Sequence, residues 1–142
     1  MAWILDTDHL SILQRRSQPD YDRLQTRLQQ QPLQEISTTI VSFQEQVRGW
    51  LSYLNQARDS AGIIRAYAEM HELLGYYCRA SVLPFHRDAQ DRFADLRHQR
   101  IRVATTDLRI ACIALTAGAT LLSRNLRDFR RVPGLTVEDW TR

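Results

Sequence analysis

The pattern of apolar and polar positions along the chain predicts short buried strands that alternate with amphipathic helices. Short apolar runs predict strands over residues 2–5, 35–39, 81–85, 119–123 and 135–137. Apolar residues three or four positions apart predict helices over residues 7–16, 21–31, 40–56, 59–79, 86–97 and 105–117, with a helical turn at 125–129. Strands that alternate with helices indicate an α/β fold with a mostly parallel sheet covered by helices.

Two predicted helices, 40–56 and 59–79, follow each other closely and are expected to form a helical hairpin. The core candidates on the second helix are Ile63, Ile64, Tyr67, Met70, Leu73 and Leu74. The helix over 105–117 is apolar almost all round, and Gly118 is expected to end it in the left-handed conformation. Pro84 weakens the end of the third predicted strand, because proline has no backbone N–H to donate to a neighbouring strand.

Length and composition indicate one globular domain over residues 1–142. Apolar residues make up 44% and charged residues 25% of the 142 positions, which is ordinary for a protein with a real core. No apolar run approaches the roughly 20 residues of a membrane span, and no signal peptide is apparent, so a cytoplasmic protein is expected. Cys78 and Cys112 lack histidines at zinc-ligand spacing, and no disulfide is expected in that compartment.

The basic residues of the chain are all arginine. The net charge is +3, and lysine is absent among the 19 basic residues. Arginine is the fork-shaped phosphate binder, which favours a phosphate-bearing partner. Genome composition produces the same bias, so the two explanations stay open.

Four acids occupy positions where a charge needs a reason. Asp6 ends the first apolar run, Asp107 opens the apolar helix, and Asp128 follows the fourth strand. Each has a local explanation: helix capping by Asp6, a first-turn position for Asp107 behind a Thr105 or Thr106 cap, and a capping box ending at Asp128. Glu45 lies opposite the apolar stripe of its helix, so it faces either solvent or a cleft.

Taken together, the acids favour a metal site. The carboxyl ends of parallel strands meet at one edge of a sheet, which brings Asp6 and Asp128 towards each other. Clustered carboxylates repel unless a cation bridges them, and Mg²⁺ or Mn²⁺ prefers such oxygen ligands. No Ser–His–acid set, Cys–His pair or phosphate-cradling glycine loop offers a rival chemistry.

Four segments resemble those of the PIN domain, and more narrowly the VapC-type toxins of bacterial toxin–antitoxin pairs. They are Met1–Asp8, the region of Glu45, Thr106–Ala111 and Leu122–Phe129, so the resemblance extends over essentially the whole chain. It implies a PIN-like α/β fold and a metal-dependent endoribonuclease that hydrolyses RNA with metal-activated water. It also implies a homodimer and a cognate antitoxin as partner.

By the same resemblance, the catalytic and metal-binding acids are Asp6, Glu45, Asp107 and Asp128. Ser123 and Asn125 are expected to support the site at its rim. Asp8 departs from the family, which more often has asparagine or another small polar residue there. It is expected to support the site, either by altering metal affinity or by accepting a hydrogen bond behind the ligands. His9 is predicted to be a partly exposed helix residue without a catalytic role.

Three other functions are weighed against this one. Asp6-Thr7-Asp8 is similar to the nucleophile motif of haloacid dehalogenase phosphatases, but that chemistry and that of receiver domains need a lysine, which this chain lacks. A PIN-like binding module without activity is the remaining alternative, and the presence of all four acids disfavours it.

A basic segment surrounds Asp128. Arg127, Arg130 and Arg131 are either a solvated rim or contacts for RNA phosphates, and the sequence leaves both open.

Overall fold

The computed structural model describes residues 2–142 and contains a five-stranded parallel sheet. In chain order the strands are β1 (Trp3–Leu5), β2 (Ile36–Thr39), β3 (Val82–Leu83), β4 (Thr120–Leu122) and β5 (Val137–Glu138). Their spatial order is β3-β2-β1-β4-β5, and every neighbouring pair is parallel. The predicted α/β architecture is therefore confirmed.

Within residues 2–142, seven helices connect and cover the strands. They are α1 (Thr7–Arg15), α2 (Asp20–Gln29), α3 (Ile40–Gln56), α4 (Ser60–Arg79), α5 (Arg87–His98), α6 (Thr105–Ala117) and α7 (Leu126–Phe129). Every helix end lies within two residues of the predicted one. A 3₁₀ turn at Leu33–Glu35 was not predicted, and the last strand begins two residues later than expected. No helix within residues 2–142 combines the length and hydropathy needed to cross a bilayer.

The central strand β1 marks the point where the chain changes direction along the sheet. From β1 the chain adds β2 and then β3 on one side, and it later returns to add β4 and β5 on the other. Helices that leave such neighbouring strands diverge, which opens a crevice beyond their carboxyl ends. The crevice here lies where β1 ends at Leu5 and β4 ends at Leu122, which pair with each other.

The two faces of the sheet contribute to two separate cores. Successive side chains of a strand point to opposite faces. Ile4 and Leu121 accordingly join one core with the buried residues of α5 and α6, whereas Trp3 and Leu122 join the other with α1 and α2. Trp140 closes the second core, with its ring 4.6 Å from that of Trp3.

Helix α6 is buried on nearly all sides, as its sequence predicts. Its buried residues are Leu108 and the run from Ile110 to Ala114, which includes Cys112. Gly118 ends the helix with φ 63°, the left-handed conformation expected there. The expected cap is wrong, because Ala104 occupies the N-cap position and no side chain caps the helix. Thr106 is thereby left available for the site described below.

The hairpin of α3 and α4 forms as predicted, but most of its expected core positions are exposed. Ile64 is 68% exposed and Tyr67 59%, and Ile63 and Leu74 are also exposed, whereas Leu73 is buried. Within the hairpin no residue from Phe43 to Arg65 is buried. The two helices pack mainly on each other, so the side away from their partner helix has no covering layer. A helical pattern identifies an apolar face but not whether another element covers it.

A pair of leucine truncations is expected to separate the core from the hairpin surface. Leu108 is fully buried in α6, so Leu108→Ala should lower the free energy of unfolding by about 2–5 kcal/mol. The matched change Leu74→Ala, at a position 56% exposed in α4, should cost less than about 0.5 kcal/mol. Urea unfolding followed by circular dichroism measures both, and equal losses would contradict the described burial.

Candidate metal centre

Three acids from separate elements converge in the crevice beyond β1 and β4. Asp6 directly follows β1, Glu45 lies in the second turn of α3, and Asp107 lies in the first turn of α6. One carboxylate oxygen from each lies within 4.8 Å of the others. This spacing is compatible with a single divalent cation bound between them.

Asp6 has one oxygen engaged and one free. Ser123 Oγ donates a hydrogen bond to Asp6 Oδ2 at 2.7 Å, whereas Oδ1 is buried without any hydrogen-bond partner. Asp6 does occupy the N-cap position of α1, but its side chain makes no capping bond. Capping therefore does not explain this carboxylate. A buried polar atom without a partner is costly, and a bound cation would remove that cost. Oδ1 is therefore an open position for a metal ion.

Glu45 is held by two hydroxyl groups. Thr7 Oγ1 donates to Oε1 at 2.8 Å, and Thr106 Oγ1 donates to Oε2 at 3.2 Å. Its side chain is half-buried, so it faces a cleft and not open solvent. Neither threonine was predicted as a site residue from the sequence. The available signal was their position, because each directly follows or precedes a site acid.

Asp128 is not one of the three acids that meet at 4.8 Å. Its Oδ2 accepts a hydrogen bond from Asn125 Nδ2 at 3.2 Å, and Oδ1 lies 3.6 Å from Arg131 Nη1. The predicted capping box is not formed, because Asn125 makes no side-chain cap to α7. Asp128 is still close enough for its charge to act on Asp107. Its role as a metal ligand stays a prediction.

Ser123 links the acids at the end of β4. It is fully buried, and its hydroxyl lies 2.7 Å from Asp6 and 3.2 Å from Asp8 Oδ2. It also accepts the backbone N–H of Asn125 at 3.0 Å.

The expected exposure of His9 is wrong, since this side chain is completely buried against Asp8 and Trp140. Its helix position could not reveal that the chain's last segment covers it.

The electrostatics of the cluster oppose ionisation. Burial, together with the charge of Asp8, raises the pKa of Asp6 to about 7. Burial and the charges of Glu45 and Asp128 raise the pKa of Asp107 to about 6. Within residues 2–142 no arginine pairs with Asp6, Glu45 or Asp107 at ion-pair distance. The charges are therefore left uncompensated by the protein.

The residues present fit a hard divalent cation. The donor set consists of carboxylate oxygens, which suit Mg²⁺ or Mn²⁺ better than zinc or copper. The free oxygen of Asp6 points to the same conclusion. Asp6, Glu45 and Asp107 are the residues that can hold such an ion.

The arginines beside Asp128 differ from one another. The side chains of Arg127 and Arg130 are exposed, and neither makes a hydrogen bond or an ion pair with the described part of the chain. Arg131 is engaged, since it donates to the carbonyl of Arg102 at 3.0 Å and pairs with Asp128. Only the first two are free to contact a ligand.

A groove leads away from the acids between α1 and the α3–α4 hairpin. Thr7 lies at its inner end, and Trp50 and Tyr53 form part of its wall. Arg65 stacks over both rings, at 5.6 and 5.7 Å from their centroids. Glu69 also lines the groove, so its charge is mixed.

Parts of the chain are similar in sequence to characterised ribonucleases. A 61-residue segment is 41% identical to "Ribonuclease VapC1" of Rickettsia felis and covers 40% of this chain and 46% of that protein. A 70-residue segment is 33% identical to "tRNA(fMet)-specific endonuclease VapC" of Salmonella typhimurium, over 46% of this chain and 53% of that protein. The matches thus span about half the length of these relatives. No family model matches the chain.

Solved structures of toxin–antitoxin complexes share the fold over its full length. A chain in VapBC-1 from nontypeable Haemophilus influenzae matches with a TM-score of 0.73 and 22% identity, covering 100% of both chains. A chain in DNA-bound VapBC from Salmonella typhimurium matches with a TM-score of 0.71 and 22% identity, covering 99% of this chain and 98% of that one. The PIN-like fold and the similarity to VapC proteins are thereby confirmed.

The raised pKa of Asp6 predicts how pH affects the metal-free protein. A carboxyl whose pKa rises from 3.8 in the unfolded chain to about 7 on folding favours the folded state only while protonated. That contribution is complete below about pH 4 and is lost as the pH rises through 7. In EDTA, Asp6→Asn should therefore melt at a higher temperature than the parent at pH 8, with the difference vanishing near pH 4.

Thermal melts from pH 4 to 8 measure this difference. Asp91→Asn, which changes an exposed carboxylate of α5, is the matched control and should give a small, pH-independent shift. A parent protein as stable as Asp6→Asn at pH 8 would show that the acid cluster carries no electrostatic cost.

Proposed function

We propose that this protein is a metal-dependent endoribonuclease and the toxin of a toxin–antitoxin pair. The observation that carries the proposal is the convergence of Asp6, Glu45 and Asp107, with Asp6 Oδ1 buried and unpartnered. The similarity to ribonucleases named VapC supports the substrate class. The likeness of fold to chains of VapBC complexes supports an antitoxin as partner.

The residues around the acids would orient the ligands without neutralising them. Ser123 donates to Asp6, and Thr7 and Thr106 donate to Glu45, so that neutral hydroxyls fix both carboxylates. When bound, Mg²⁺ or Mn²⁺ supplies Lewis-acid stabilisation of the phosphodiester and of the leaving oxygen. Asp107 completes the set from α6.

Asp128 and the arginines would act at the rim. Asp128 adds negative charge beside Asp107, and Asn125 and Arg131 hold it in place. Asp8 would support the site through Ser123. Arg127 in α7 and Arg130 directly after it are exposed and would form a basic rim that RNA phosphates approach.

A homodimer and a cognate antitoxin protein are part of the proposal. The alternative is a PIN-like binding module without activity. The acid cluster favours the enzyme, because a binding module gains nothing from three uncompensated carboxylates that destabilise its fold.

Substitution of single acids should distinguish the residues that bind the metal from the acids that only lie near it. Changes to the partners of metal ligands typically cost about 10–100-fold, so removing a ligand in Asp107→Asn should lower RNA cleavage by more than about 100-fold. Asp128→Asn lies outside the 4.8 Å cluster and should retain more activity and more Mn²⁺ affinity. Cleavage of total bacterial RNA with Mg²⁺, Mn²⁺ or EDTA and Mn²⁺ titration calorimetry measure the two properties.

Three results would count against parts of this proposal. Full cleavage in EDTA would exclude the metal. Metal binding by the parent without cleavage of any RNA would favour the inactive module. A loss in Asp128→Asn equal to that in Asp107→Asn would place Asp128 among the ligands, as the sequence first suggested.

The salt dependence of RNA binding should distinguish Arg130 from Arg131. Each phosphate contact releases counterions, so log affinity falls linearly with log salt, and removing one contact lowers the slope by about one or less. In the Asp107→Asn background, Arg130→Gln should reduce the slope. Arg131→Gln, whose guanidinium is already held by Asp128 and the Arg102 carbonyl, is the matched control and should change it less.

Fluorescence anisotropy with a labelled RNA at several salt concentrations gives both slopes. An unchanged slope in Arg130→Gln would show that this side chain does not contact RNA phosphates. Binding of the co-expressed antitoxin to the same variant would then distinguish an antitoxin contact from a solvated rim.

A further inference from the structure

His9 is a buried histidine with a polar partner at each ring nitrogen. Its side chain is completely buried between α1 and the C-terminal segment. Nδ1 lies 2.7 Å from Asp8 Oδ1, and Nε2 lies 3.2 Å from the backbone nitrogen of Trp140. Neither contact is needed to bury the ring, since an apolar residue would fill the same space.

The two contacts indicate which nitrogen of the neutral ring carries the proton. The amide of Trp140 can only donate, so Nε2 is the acceptor and carries no proton. The ring proton therefore lies on Nδ1 and is donated to Asp8. His9 thus connects the last segment of the chain to the acid beside the metal centre.

Asp8 and Asp6 both lie within hydrogen-bond distance of the Ser123 hydroxyl, which can donate to one of them at a time. Its Oδ2 accepts the backbone N–H of Arg124 at 2.9 Å and also lies 3.2 Å from Ser123 Oγ. A serine hydroxyl has one proton to donate, and Ser123 lies closer to Asp6, at 2.7 Å. Because His9 and the Arg124 amide supply Asp8 with two donors, the Ser123 proton is left for Asp6.

We propose that His9 is a positioning residue for the metal centre. By donating to Asp8, it keeps that carboxylate turned towards Arg124 and leaves the Ser123 proton on Asp6 Oδ2. Asp6 then presents only Oδ1, the unpartnered oxygen, to the cation. This inference rests on the proposed metal site, but its geometric part can be measured without metal.

Two substitutions of similar size divide the functions of the ring. Asparagine ends near the position of Nδ1, so His9→Asn keeps a donor for Asp8 and loses the contact with Trp140. Glutamine reaches the position of Nε2, so His9→Gln keeps an acceptor for Trp140 and loses the donor for Asp8. A positioning role therefore predicts damage in His9→Gln, whereas a purely structural tie to Trp140 predicts damage in His9→Asn.

The first measurement uses the metal-free protein. Amide hydrogen exchange by NMR should show that the Arg124 N–H loses protection in His9→Gln and keeps it in His9→Asn. The Asp6 N–H, which bonds to the Leu122 carbonyl at 2.9 Å, is the internal control and should stay protected in both. Equal protection of the Arg124 amide in the two variants would overturn the proposal, whether or not the protein binds metal.

The second measurement is Mn²⁺ affinity by calorimetry, beside thermal melts. His9→Gln should bind Mn²⁺ about tenfold more weakly than the parent, as expected for a residue acting through a ligand's partner, and His9→Asn should bind nearly as tightly as the parent. Reduced affinity in His9→Asn but not in His9→Gln would overturn the proposal. A parent chain that binds no Mn²⁺ would instead refute the proposed function, leaving the exchange result to decide on His9.

A double substitution tests whether the effect of His9 on the metal centre passes through Asp8. Asp8 is one-third exposed, so Asp8→Ala should fold. If His9 acts through Asp8, His9→Gln should cause no further loss of Mn²⁺ affinity in the Asp8→Ala background. The same tenfold loss in both backgrounds would show that His9 acts by another route.

Discussion

Repulsion between carboxylates in a poorly solvated crevice is the constraint around which this structure is organised. Asp6, Glu45 and Asp107 come from three separate elements, and burial and their neighbours' charges disfavour the ionised forms of Asp6 and Asp107. Within residues 2–142, the side chains that donate to Asp6 and Glu45 are neutral hydroxyls. An arginine there would satisfy the charge and remove the reason for a cation to bind. The site is thus costly without metal and suited to one with metal.

Rigid packing on both sides of the sheet makes this cost tolerable. Asp6 extends from β1, whose residues are buried on both faces. Asp107 is fixed by α6, whose following turns form the centre of one core. Because apolar burial anchors these elements, movement of the acids away from one another would disrupt the cores. Ser123 adds a direct link between the ends of β1 and β4.

The sequence predicted the elements well and the side-chain partners poorly. Alternating strands and helices were sufficient for the parallel sheet, and Gly118 marked the end of α6 correctly. The burial of His9 could not be predicted, because Trp140, which covers it, lies 131 positions away in the chain. The same applies to Thr7 and Thr106, whose hydroxyls meet Glu45 only after folding. Local pattern reports periodicity, whereas these contacts depend on how distant elements are placed.

The acids themselves illustrate the same limit. Their positions after strands and at helix starts were sufficient to suggest convergence at one sheet edge. The sequence did not show that Asp128 would be turned towards Asn125 and Arg131. A four-residue helix such as α7 can face in several directions, and its pattern does not select one.

The uncovered part of the α3–α4 hairpin has a consequence for motion. Glu45 lies near the start of α3, where Thr39 caps the helix and Thr7 and Thr106 hold the carboxylate. Beyond it, residues 46–65 include no buried residue, so burial does little to hold the tip of the hairpin in place. Segments with little burial open at low free energy. The tip of the hairpin can therefore bend while the start of α3 stays anchored and keeps Glu45 beside Asp6 and Asp107.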